Sequence, residues 1–124
     1  KLFFINSNIM DHFMKNIAVT KWILQRITAV ILLPLLVWFL SFFVGLVQKD
    51  YQTVLVFFKN DINFIVSIIF LILVFSHMKI GMGEIFEDYI QNNRYKNVAN
   101  FIISIFATTL PLITIVSLVL TKFS

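Results

Sequence analysis

Three long stretches of this chain carry no charged side chain, and they decide what it can fold into. Ile27 to Val47 gives 21 such residues and Val98 to Thr121 gives 24. Ile62 to Met78 gives 17, with apolar character resuming through Ile80 and Met82. A bilayer core needs about 20 apolar residues per helix, and in lipid a helix lets one segment satisfy its own backbone hydrogen bonds. The sequence therefore predicts an all-α integral membrane protein, a single domain over residues 1–124, with three transmembrane helices at about 27–47, 62–84 and 98–121. Composition points the same way: 60% of the residues are hydrophobic and 13% charged, against about 25% charged in a soluble domain. A soluble globular enzyme is excluded. The first run is not read as a secretory signal, because 26 residues with polar and charged side chains interspersed precede it and no A-x-A-like site follows. Pro34 and Pro111 fall inside spans one and three and are expected to bend them.

The net charge of +4 comes from residues that flank the apolar runs rather than from a basic stripe with interleaved aromatics, so nucleic acid is not an expected partner. Lys1, Lys15, Lys21 and Arg26 before span one, with Lys79, Arg94 and Lys96 around the second loop, oppose Lys49, Lys59 and Lys122 on the other side. That imbalance of seven to three predicts a cytoplasmic N-terminus. Trp22, Tyr51, Tyr89 and Tyr95 fall near the predicted interfaces, where amphipathic aromatics belong. With no cysteine in the chain, disulfides, thiolate zinc sites, iron–sulfur ligation and covalent c-type haem are all ruled out for it.

Chemistry concentrates at the end of span two. At about 100° per residue, His77, Gly81, Glu84 and Asp88 share one narrow helical stripe. Twelve residues separate His77 from Tyr89, which sets the imidazole about 18 Å deeper if the helix is continuous. An ionisable side chain at that depth needs a partner. Neutral imidazole can ligate haem iron through one nitrogen and donate a hydrogen bond from the other; the competing reading is a histidine bonded to a neighbouring helix. Gly81 removes a side chain from the same face, which suits either close approach of a flat macrocycle or helix packing. Asp88 and Tyr89 sit where span two leaves the membrane, so they read either as a quinone contact and its neighbouring carboxylate or as an interfacial anchor and a solvated helix end. Arg26 reaches the same side from span one and suits a carboxylate or phosphate partner such as a haem propionate, or else it snorkels to headgroups.

Taken together, Arg26-Ile27-Thr28-Ala29 and His77-x3-Gly81-x6-Asp88-Tyr89 inside a three-span chain resemble the hydrophobic membrane-anchor family of succinate dehydrogenase, respiratory complex II. The resemblance covers essentially the whole chain and implies half of an anchor bundle built from two different chains. It implies that His77 is an axial ligand of haem b, shared with the sister anchor chain, and that Tyr89, with Asp88 beside it, binds ubiquinone. Arg26 would then lie near the haem propionates or the quinone pocket. The implied partners are the sister anchor, the iron–sulfur protein, the flavoprotein and the lipid bilayer, in a bacterial cytoplasmic membrane or, alternatively, a mitochondrial inner membrane. The chain itself would catalyse nothing. Two other readings stay open: a cofactor-free structural anchor, and a component of a small proton-coupled transporter.

Overall fold

The structure is a computed structural model that describes residues 2–124, with side chains from residue 7 onward. Lys1, counted above for orientation, lies outside the described residues. Four helices follow one another: α1 (Leu2–Val47), α2 (Tyr51–Lys59), α3 (Asp61–Tyr89) and α4 (Asn93–Phe123). Three of them, taken as Ser7–Val47, Asp61–Tyr89 and Asn93–Phe123, are long and apolar enough to cross a membrane. The described residues contain no strand. The all-α, three-span reading therefore holds.

Two features go beyond the sequence reading. The N-terminal arm is not separate from the first span; both belong to α1, whose 46 residues extend about 69 Å, more than twice the hydrocarbon thickness. The loop between spans one and two also contains a helix of its own, α2. Its start is fixed by Asp50, whose side chain accepts from the Thr53 backbone N–H at 3.2 Å and from the Thr53 hydroxyl. Asn60 both ends α2 and opens α3, with Oδ1 accepting from the N–H groups of Ile62 and Asn63 at 3.0 and 3.2 Å. Caps of this kind satisfy amides that the first helical turn leaves without partners. Pro34 and Pro111 lie within α1 and α4 without ending either helix.

α3 occupies the middle, packed on α1 along one side and α4 along the other. Its two glycines divide between these neighbours: a Cβ on Gly81 would meet Gln25 of α1, and one on Gly83 would meet Asn100 of α4. Away from Gly81 along the same α1–α3 contact, Phe39 and Phe70 stack with centroids 4.7 Å apart. The α3–α4 hairpin is closed by an ion pair at each end. Lys96 Nζ lies 3.2 Å from Glu87 Oε1 at one end. At the other, Lys122 bonds to the Asp61 carboxylate, donates to the Lys59 carbonyl at 3.0 Å and sits over the Phe64 ring.

Candidate functional site

Helix α3 runs unbroken from Asp61 to Tyr89, so the twelve-residue interval between His77 and Tyr89 is helical throughout, about 18 Å. The stripe expected from periodicity is real. His77, Gly81, Glu84 and Asp88 line one open cleft of about 460 Å³ together with Gln25, Met78, Met82 and Ile85. That volume falls within the range of roughly 300–1,000 Å³ common to small-molecule sites. Its walls come from α1 and α3 alone, so one side is left to whatever packs against these helices.

The histidine is held by α1. His77 Nδ1 lies 2.9 Å from Thr28 Oγ1, and Thr28 is among the few buried residues, 7% exposed. The same hydroxyl is 2.6 Å from the Leu24 carbonyl and 3.2 Å from that of Gln25, the back-bonding position a helical threonine favours. A hydroxyl has one proton. Donated to Leu24, it leaves Oγ1 as an acceptor, so the ring N–H sits on Nδ1 and the free lone pair on Nε2. No described residue hydrogen-bonds Nε2.

One turn from Thr28, Gln25 faces Gly81: its Nε2 lies 3.0 Å from where a Cβ would stand. Its Oε1 is buried without a hydrogen-bond partner. An acceptor in that state costs about 1–3 kcal/mol unless something satisfies it, and Gln25 is on the wall of the cleft. Periodicity could not single out Gln25 or Thr28, because it gives the face of one helix and not the register of the helix opposite. Only the Arg-x-Thr-Ala stretch marked the neighbourhood.

The remaining expected residues are placed differently. Tyr89 ends α3, 81% exposed and outside the cleft lining, whereas Asp88 forms part of its wall. Arg26 is exposed and outside the cleft lining, its guanidinium 5.3 Å from the Trp22 ring centroid. The described residues form no cluster of three or more potential metal-ligating His, Cys, Asp or Glu side chains, so His77 stands as a single imidazole donor.

The sequence pattern of the succinate dehydrogenase/fumarate reductase transmembrane subunit family matches residues 8–116. The chain belongs to that family. It is similar to the hydrophobic membrane anchor subunit of succinate dehydrogenase from Rickettsia bellii, 32% identical over 102 residues that cover 82% of this chain and 78% of the relative. The corresponding subunits of Rickettsia prowazekii and Rickettsia typhi are 30% and 28% identical with the same coverage. No solved structure matches the chain significantly. As a succinate dehydrogenase membrane anchor, the chain is a multi-pass membrane protein and a non-catalytic part of an oxidoreductase assembly.

Proposed function

We propose that this membrane anchor co-ligates haem b through His77 Nε2 and contributes to a ubiquinone-reduction site, in a succinate dehydrogenase of a bacterial cytoplasmic membrane. The observation that carries the reading is an imidazole within a spanning helix, on the wall of an open cleft, bonded through Nδ1 with no described partner on Nε2. The fit with haem is good on two further counts. Gly81 keeps the wall next to His77 free of a side chain, and the cleft stays open on the side away from α1 and α3. When bound, a b-type haem supplies a one-electron redox centre within the membrane. His77 is the one imidazole on the cleft wall, so a second iron ligand would come from the sister anchor on this reading.

The protein's own groups bind and orient. His77 offers a fixed lone pair. Tyr89, at the end of the same helix, donates its hydroxyl to a quinone carbonyl and stabilises negative charge on that oxygen. Asp88 holds a carboxylate beside it to accept or relay a proton. Arg26 supplies a guanidinium on the same side of the membrane, for a propionate or the quinone pocket. The iron–sulfur protein and the flavoprotein dock on that side, and the excess of Lys and Arg there supports its being the cytoplasmic one.

The test uses the purified complex. A reduced-minus-oxidised spectrum should show a b-type band that disappears in His77→Ala, while Tyr89→Phe keeps the band and assembly but loses quinone reduction. A haem-free wild-type complex with full quinone reduction overturns the cofactor assignment in favour of a structural anchor. Solute flux in liposomes containing this chain alone overturns it in favour of a transporter.

A further inference from the structure

His77 is hydrogen-bonded to a hydroxyl whose own direction is fixed. Thr28 Oγ1 lies 2.6 Å from the Leu24 carbonyl one helical turn back and 2.9 Å from His77 Nδ1. β-Branching limits threonine to few rotamers in a helix, and the bond to the preceding turn selects the one seen here. The residue is buried, so water does not compete for the hydroxyl. Three atoms in sequence, the Leu24 carbonyl oxygen, Thr28 Oγ1 and His77 Nδ1, therefore form a directed chain running from the backbone of α1 to the imidazole of α3.

From this geometry we infer that Thr28 is the positioning residue of the haem ligand: it fixes the tautomer and ring angle of His77 and sets the donor strength of Nε2. The inference rests on the haem reading above and adds to it a residue that acts through the histidine without touching the cofactor. Donating Nδ1–H to an oxygen increases electron density on the ring and makes the other nitrogen a more basic ligand. A stronger axial donor favours ferric over ferrous iron, so the bond lowers the haem potential. The same bond holds the ring plane against rotation, which slows loss of the cofactor.

Two substitutions separate hydrogen bonding from packing. Thr28→Val keeps the branched shape and removes the hydroxyl; Thr28→Ser keeps the hydroxyl and removes the methyl group. Both are made in the assembled complex, and spectroelectrochemical titration is combined with haem transfer to apomyoglobin. Thr28→Val should shift the haem midpoint potential upward and speed haem transfer about tenfold, the low end for loss of an outer-shell partner to a metal ligand. Thr28→Ser should return both quantities close to the wild-type values. A valine variant with unchanged potential and unchanged haem transfer overturns the inference, because the hydroxyl would then have no effect on the ligand. Should the valine variant retain no haem, the serine variant decides: recovery of haem supports the hydroxyl's role, and failure to recover assigns Thr28 to packing. A wild-type complex without a haem band overturns the underlying reading and the inference with it, and that is seen before any variant is made.

Discussion

At the scale of single residues, the site is organised by what each side chain leaves unoccupied. His77 commits Nδ1 and not Nε2, Gln25 has a buried acceptor without a donor, and Gly81 has no side chain where one would crowd Gln25. The atom nearest a new Cβ at Gly81 is the end of a flexible glutamine 3.0 Å away. Gly81→Ala should therefore be accommodated by a small movement of Gln25, with haem retained. Gly81→Leu should block the cleft and abolish the haem spectrum while the chain still reaches the membrane. Haem content in the two variants, measured per complex, checks this; full haem in the leucine variant contradicts it. The stripe of His77, Gly81, Glu84 and Asp88 was legible in the sequence because a helix repeats every 3.6 residues and those positions share a face. Thr28 and Gln25 were not assigned roles, since their importance depends on the registry of α1 against α3, which neither helix encodes alone.

The helices differ in how they are held, and this sets what each can tolerate. α2 is only nine residues long, too short to be stable by itself, and its first turn relies on Asp50. Hydrogen bonds from the Thr53 side chain, and then from its backbone N–H, hold the Asp50 carboxyl below its ordinary value. A lowered carboxyl pKa means the cap is fully present above the ordinary aspartate range and is lost as pH falls through the depressed value. Protection factors for amide exchange at Thr53 and Val54, corrected for the intrinsic pH dependence of exchange, should consequently hold at neutral pH and fall only below the usual aspartate titration. Asp50→Asn, which can still cap, should remove that acid dependence without fraying the turn at pH 7; an acid step of the same size in both proteins contradicts the assignment. That there are three spanning helices was legible in the sequence because charge-free runs of membrane length admit few structures. It missed α2 because a short polar-flanked segment in a loop gives no comparable signal, and it divided α1 at a change in composition that the backbone ignores.

On the scale of the whole molecule, very little is buried. Leu32 and Phe70 are the buried hydrophobic side chains among the described residues, while apolar groups along all three long helices are exposed. Lipid covers such surface without cost, yet the cleft walls of α1 and α3 form only part of an enclosure. Expressed alone in detergent, the chain should unfold at a markedly lower temperature than within the purified complex, because partner contacts stabilise the folded form by mass action. Equal melting temperatures would show that it completes its own fold. The manner in which the three long helices are joined has a further consequence. Charged clasps close both ends of the α3–α4 hairpin, whereas α1 is tied to α3 by the hydrogen bond at His77. If His77 holds a haem iron as proposed, binding would favour the ring orientation that α1 supports, and by reciprocity a docked first helix would raise the affinity for the cofactor. On that proposal, cofactor insertion and completion of the helical assembly would be two readouts of a single equilibrium.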